Sequence, residues 1–416
     1  MATSSGVRVT SQDRSSVRRK QIATAAIATI SRYGLAGVTH RLVAKEANVS
    51  LAATTYYYRT KADIIADASS ELLDGYVAGL EAFAERIENR PQVPLRDLAI
   101  ELAVNAAGGR HMEAIAWFEI MLGAARQEEL RELTIPSLAS MGIAWARICR
   151  AAGLPDNEET IRSAMDIVIG LTLAVTALGV DENKVATVLR GEAAMGEQWA
   201  SAGDAGDAPS PAGNAPTARA QQTRDRIVTA AIDLLIAEGP ASVTLRSVAE
   251  KAGLAAAAPT YHFPRLELLL AAAHDQMFAT SKARYGQNSS KIDFASLDAE
   301  RLIDLTNTIL IRETTEHGAA NVASYTLWME AARRPELRHA IWSFIDDQCR
   351  AWDRLLDRMG HEHDPLDSLV LNSLFIGKVI RLLGTGTATA DLARARSELA
   401  PEIRATLARE HWMTLR

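Results

Sequence analysis

The chain has 416 residues, 48% hydrophobic and 23% charged, which is ample for two to four packed domains and excludes a disordered composition. Its two cysteines, Cys149 and Cys349, lie far apart without a C-x-x-C partner, so neither a disulfide framework nor a zinc site is expected. A net charge of −6 argues, on average, against a polyanionic partner.

In chain order, residues 1–17 form a basic arm rich in Ser and Thr, with no apolar stretch of the kind a secretory signal needs. From residue 18 the apolar positions Ile22, Ala26 and Ile30 recur at i, i+4 and i+8, one stripe of a helix that Gly34 is suited to end. Thr39 suits the N-cap of a short helix over Arg41–Ala47, followed by a tight turn at Asn48-Val49-Ser50. A helix around Leu51–Tyr58 and another from Lys61 complete the segment. Two short helices joined by such a turn, after a longer one, make a helix-turn-helix, whose second helix enters the DNA major groove. The local charge agrees. Between Arg14 and Lys61 the bases are Arg14, Arg18, Arg19, Lys20, Arg32, Arg41, Lys45, Arg59 and Lys61, and Glu46 is the only acid. A basic head on an acidic body overrides the average. Helical periodicity continues to residue 200, and its longest uncharged run, Ile167–Val180, is too short to span a bilayer. Few runs alternate with the strand period, so the fold class is all-α.

After a Gly-, Pro-, Ser- and Ala-rich linker at 201–217, the pattern starts again. Ile22-Ala23-Thr24-Ala25-Ala26-Ile27 returns as Ile227-Val228-Thr229-Ala230-Ala231-Ile232, and Thr55-Tyr56 as Thr260-Tyr261. At a constant offset of 205, about 19 of the 49 positions from Lys20 to Ala68 are identical. Farther on the offset becomes 207: Ala144-Trp145-x-Arg147 matches Ala351-Trp352-x-Arg354, and Gly170 matches Gly377. The whole unit is therefore duplicated. The expected domains are an arm (1–17), a first helix-turn-helix (18–68), a first helical body (69–200), the linker (201–217), a second helix-turn-helix (218–273) and a second body (274–416).

Thr39-x-Arg41-x-Val43-Ala44-x-x-Ala47-Asn48-Val49-Ser50, followed by Thr55-Tyr56-Tyr57-Tyr58-x-x-Lys61, resembles the signature of the TetR family. Thr244-x-Arg246-x-Val248-Ala249-x-x-Ala252-Gly253-Leu254, then Thr260-Tyr261-His262-Phe263, resembles it too. Each match covers about 50 residues, and finding it twice makes it specific. The resemblance implies a tandem form of a TetR-like unit, each copy with an N-terminal helix-turn-helix and a C-terminal helical regulatory domain. It implies a sequence-specific repressor that a small-molecule effector releases from a double-stranded operator, and the lack of a signal, a span or paired cysteines leads to the expectation of a cytoplasmic location. In that role Arg41 could pair with guanine, and Leu51, Ala52, Ala53 and Thr55 would face the bases. Thr39, His40, Tyr56, Tyr57 and Lys61 would hold phosphates, and Tyr58 would be core. Family members pair as dimers; here one chain could supply both units as an intrachain pseudo-dimer, or two chains could make a four-headed homodimer.

In the second copy the matching residues are Thr244, Arg246, Ala256, Ala257, Thr260, Tyr261 and His262. Its recognition stretch, Leu254-Ala-Ala-Ala-Ala-Pro259, offers few hydrogen-bonding groups, and Pro259 falls several residues into the expected helix. Six bases meet four acids between Arg219 and Leu266, so weaker DNA binding is expected than in the first copy. Among the tryptophans, Trp117, Trp145 and Trp328 are candidates for an effector pocket, against the commoner alternative that they are core. His361-Glu362-His363-Asp364 reads as a surface loop rather than a metal cluster, because the matching Leu154-Pro155-Asp156-Asn157 has no His. No nucleophile elbow, paired-histidine motif or dinucleotide fingerprint is present, so no enzyme, cofactor, metal or membrane role is expected. The competing reading is a ligand- or protein-binding module that has lost DNA recognition.

Overall fold

The computed structural model describes residues 11–88, 90, 93–200, 217–289 and 297–408; their regular elements are all helical, and no strand occurs among them. The first unit runs α1 (Ser11–Tyr33), α2 (His40–Glu46), α3 (Leu51–Tyr57), α4 (Lys61–Ile87), α5 (Leu95–Ala107), α6 (His111–Ala124), α7 (Glu128–Ala151), α8 (Glu158–Leu178), α9 (Glu182–Leu189) and α10 (Met195–Trp199). The second runs α11 (Ala218–Glu238), α12 (Leu245–Lys251), α13 (Ala258–His262), α14 (Leu266–Ser289), α15 (Ala299–Thr315), α16 (Gly318–Arg333), α17 (Arg338–Arg358), α18 (Pro365–Thr385) and α19 (Thr389–Leu407). Helices α6 and α16, like α8 and α18, begin 207 residues apart, so the sequence repeat is a repeat of structure.

Local chemistry sets the element ends. Ile22, Ala26 and Ile30 are fully buried along α1, as the stripe predicts. The chain leaves α1 and α11 through Gly34 and Gly239, at φ +67° and +87°, a region open to glycine at little cost. Thr39 and Thr244 cap α2 and α12, their hydroxyls accepting from the amides of Leu42 and Ser247. Part of the expected arm, residues 11–17, is helical as the start of α1; residues 1–10 and 201–216 lie outside the described residues. Thr217 caps α11. Helices α4 and α14 run unbroken from head into body through residues 68 and 273, giving each head a stiff connection.

The two bodies meet through α8 and α18. A Cβ on Gly170 would fall 2.0 Å from the Ser373 carbonyl oxygen, and one on Gly377 would fall 1.8 Å from that of Asp166. These equivalent glycines therefore let the two backbones touch where the helices cross. Helix α8 is long and apolar enough to cross a bilayer by length and composition, but nearly all of it from Ser163 to Leu178 is buried inside the protein. Beside the crossing lies a fully enclosed ionic group. Asp166 of α8 accepts from Arg381 Nε at 2.6 Å and pairs with Lys378 at 2.9 Å, and Glu398 of α19 pairs with the same two cations. Burial pushes the Asp166 carboxyl up, but Arg381 and Lys378 outweigh it and hold it below the usual carboxylate range. The first head has a core of its own, in which Ile22, Val43, Tyr58 and Ile64 pack on Ala116 and Ile120 of α6. The second head's Ile227, Leu235, Val248 and Phe263 instead join the core that runs through both bodies.

Candidate nucleic-acid interface and ligand cavity

In the first head, α2 and α3 are joined by a turn in which Asn48 takes a left-handed φ of +51°. Ser50 caps α3, its hydroxyl accepting from the Ala53 amide at 3.2 Å, so the helix is regular from Leu51. Thr54 turns inward, its hydroxyl on the Leu51 carbonyl at 2.9 Å. That leaves an outer face of Leu51, Ala52, Thr55 and Tyr56, with Leu51 50% and Tyr56 81% exposed. Ala53 and Tyr57 are half-buried, and the Tyr57 ring meets Tyr56 edge-on at 5.1 Å. Arg41 and Thr39 are exposed on α2 and its cap, whereas His40 is half-buried with Nδ1 facing inward. Lys61 is exposed in the first turn of α4, beside a capping box made by Thr60 and Asp63. Desolvation lowers its ammonium somewhat, and a helix N-terminus next to it favours an anion.

Tyr58 is core, as its position implied: its hydroxyl donates to Asp67, which also forms a 2.8 Å ion pair with Arg19. This ties α1, α3 and α4 together beneath the outer face of α3.

The second head departs from this. Position 255, equivalent to Ser50, is alanine, so the side-chain cap is lost, and α13 starts only at Ala258, two residues later than α3 in register. Pro259 consequently sits in the first turn of α13 rather than several residues into a helix. There its missing N–H leaves no gap in the ladder. Ala256 and Ala257 are exposed but precede the helix. Thr244, Arg246, Thr260 and Tyr261 are exposed, Tyr261 by 83%, and His262 is half-buried with its ring edge-on to Tyr261 at 5.3 Å. Under α13 the Tyr58–Asp67–Arg19 group is replaced by Arg224 stacked over Phe263 at 4.2 Å.

A cavity of about 460 Å³ opens in the second unit. Ile232 and Ile236 of α11, Phe278 of α14, Tyr325 of α16, Trp352 of α17 and Phe375 of α18 form much of its apolar wall. The carboxylates in and behind that wall are occupied. Asp347 pairs with Lys282 at 2.7 Å, and Glu313 pairs with Arg284 at 3.1 Å while accepting from Asn321 at 2.9 Å.

None of the three candidate tryptophans lines this cavity. Trp145 and Trp328 are enclosed by core side chains, and Trp117 is half-buried with its ring edge-on to Phe118 at 5.1 Å. Trp328 stands one layer behind the wall, against Tyr325 and Phe344. A signal for the cavity did exist in the repeat. At the 207 offset Ser324 stands where the first unit has Trp117, and Asn372 where it has Met165, so the second body carries less volume at matching positions.

Residues 94–194 and 297–409 match a family model described as the tetracyclin repressor-like C-terminal domain, and together they are just over half of the chain. The chain belongs to the TetR family. Two solved structures are similar to one unit of this TetR-family chain: the multidrug binding protein EbrR complexed with ethidium and the same protein complexed with imidazole. Each is 25% identical, covers 43% of this chain and 98% or 93% of its own, and superposes with a TM-score of 0.36 or 0.34. No curated protein matches the chain.

Proposed function

We propose that this chain is a cytoplasmic, non-enzymatic, sequence-specific DNA-binding repressor, released from its operator by a small molecule in the second unit's cavity. It acts as its own pseudo-dimer, and its first head is the stronger reader. One observation carries the reading: at matching positions the first head presents a capped seven-residue helix α3 flanked by Arg41 and Lys61, and the second a five-residue α13. Phosphate neutralisation supplies most of the nonspecific affinity, and Lys61 is answered in the second head by Leu266. The pseudo-dimer is supported by the crossing of α8 and α18, which uses the same glycine from each unit. The same face is then closed to a second chain.

The cavity's occupant is a mainly apolar molecule without a positive charge. Both carboxylates near its wall are engaged in ion pairs, so an organic cation entering it would find no free counter-charge.

The test of the head assignment is binding to a duplex selected from random sequences by the full chain. The triple variant Arg41→Ala, Tyr56→Ala, Lys61→Ala is expected to lose about thirtyfold or more in affinity, with a shallower salt dependence. The matching second-head variant, Arg246→Ala with Tyr261→Ala, is expected to lose less than about threefold. Equal losses from the two heads overturn the ranking. If the full chain selects no duplex, the second reading stands: a ligand- or protein-binding module, which the shortened α13 motivates. For the cavity, the neutral fluorescent probe N-phenyl-1-naphthylamine is expected to bind and to be expelled by Ser324→Trp. Ethidium binding that Ser324→Trp blocks would count against a ligand without a positive charge.

A further inference from the structure

A pair of equivalent arginines crosses between the units. Arg333, at the C-terminal end of α16 in the second body, donates from Nε to the Ser31 carbonyl at 2.6 Å and from Nη2 to the Ile30 carbonyl at 3.3 Å, both in the last turn of α1 of the first head. The same Nη2 meets Glu119 of α6 at 2.6 Å, and Glu119 in turn accepts from the Leu35 amide just beyond α1. Its repeat equivalent, Arg126, reaches the other way: Nη2 donates to the Leu235 carbonyl of α11 at 3.1 Å, and Nη1 donates to Thr326 at 3.4 Å. Leu235 is the counterpart of Ile30, and Thr326 of Glu119. Each body therefore grips the end of the first helix in the opposite head.

The two grips differ in strength and in what they connect to. The Ile30 and Leu235 carbonyls already accept the amides of Gly34 and Gly239, so each guanidinium adds a second hydrogen bond at the negative end of a helix dipole, where a cation is favoured. On the first head the guanidinium is hydrogen-bonded to a buried carboxylate; on the second its side-chain hydrogen bond is to a hydroxyl, and Glu119 attracts it only through space. The segment gripped through Leu35 leads directly into α2 and so sets the placement of α2 and α3. Asn321, Ser324 and Tyr325 line the cavity on α16, and Arg333 lies eight residues beyond Tyr325 on the same helix, roughly 12 Å away. The second head touches the cavity directly through Ile232 and Ile236.

We propose that a molecule in the second unit's cavity controls the first head across the chain, through α16 and the Arg333–Glu119 grip on the end of α1. This rests on the cavity being the effector site, but Arg333 and its partners are independent of that reading. Differential contact with the two positions of α16 is what would couple the sites.

The experiment is hydrogen exchange on the full chain, without DNA, read at the amides of Gly34 to Val38. Adding N-phenyl-1-naphthylamine is expected to speed their exchange by about fivefold or more, at the lower end of ordinary allosteric coupling. In Arg333→Met the probe should still bind within about twofold, and the exchange response should vanish; Arg126→Met should keep it. If Arg333→Met misfolds with Glu119 left alone, Glu119→Gln with Arg333→Met removes the lone carboxylate and is read in the same way. An unchanged response in either Arg333 variant, or a response lost equally in Arg126→Met, overturns the proposal. Failure of the probe to bind counts against the effector site alone. Ser324→Trp then serves as a built-in occupant, and unaltered exchange at these amides refutes the grip as a relay.

Discussion

His274 lies in α14 with its ring buried against Phe344, and among the described residues neither ring nitrogen has a hydrogen-bond partner. Burial disfavours the imidazolium and pushes its pKa down to about 4. The folded state therefore resists a proton that the unfolded chain takes up near pH 6.5. Stability is full above that pH and falls as the pH drops from about 6.5 toward 4, with a single-site ceiling of about 3 kcal/mol. Denaturant melts of the wild type and His274→Phe across this window test it. The difference in stability between the two proteins is expected to shift steadily with falling pH, and a constant difference from pH 7 to 4 would show that His274 is not protonated on unfolding. The same residue-scale logic applies at Tyr58, whose hydroxyl is held by Asp67. Tyr58→Phe leaves a half-buried carboxylate, still paired with Arg19, short of one donor and should cost about 1 kcal/mol by thermal unfolding. At Phe263, where Arg224 stacks on the ring, there is no hydroxyl to lose.

At the scale of one helix, the contrast between α3 and α13 comes down to two positions, 50/255 and 54/259. A Ser cap contributes about 1 kcal/mol at a helix start, and Thr54 folds its hydroxyl onto the backbone of its own turn. Ala255→Ser with Pro259→Thr is therefore expected to extend α13 by its two missing residues and raise affinity for DNA, by at most roughly fivefold if the whole cap energy appears in binding. Footprinting of the second half-site with and without the double change measures it; unchanged protection would mean that α13 does not meet DNA. The sequence announced the elements around this helix well. The stripe of Ile22, Ala26 and Ile30, the glycines at 34 and 239, and the threonine caps are local signals read within a turn of the chain. Pro259 was harder to place, because proline forbids a helix interior yet suits a first turn, and only the later start of α13 decides between them. The cavity was less legible still. Trp145 and Trp352 are equivalents with the same periodicity, yet one is enclosed and the other lines the cavity. What separates them is the volume missing at Ser324 and Asn372 on neighbouring helices, which no single helix records.

On the scale of the whole molecule, the crossing of α8 and α18 is symmetric in its glycines and asymmetric in its charges. Where the second unit has Lys378 and Arg381, the first has Leu171 and Ala174, and where the first has Asp166 the second has Ser373. Two first-unit helices paired together would bury two aspartates without a cation, and two second-unit helices would bury an excess of cations. Ions so enclosed are tolerated only when paired, since removing one partner of a buried pair costs roughly 3 to 5 kcal/mol. The charges thus select pairing between unlike units, which is what one chain contains. Lys378→Leu with Arg381→Ala should leave Asp166 without a cation and Glu398 with only the more distant Arg394, and lower stability by about 3 kcal/mol in denaturant melts. Adding Asp166→Ser and Glu398→Gln should recover the part of that loss that comes from uncompensated charge, since no buried carboxylate is then left without a cation, while the volume lost at Arg381 is not restored. The recovered quadruple variant has also lost its discrimination between like and unlike units. In sedimentation velocity the wild type should run as a single 45.0 kDa chain, while the quadruple variant should populate a species of twice that mass as concentration rises. A quadruple variant that is stable yet stays at one chain would show that tethering through the linker, and not the buried charges, decides which units pair.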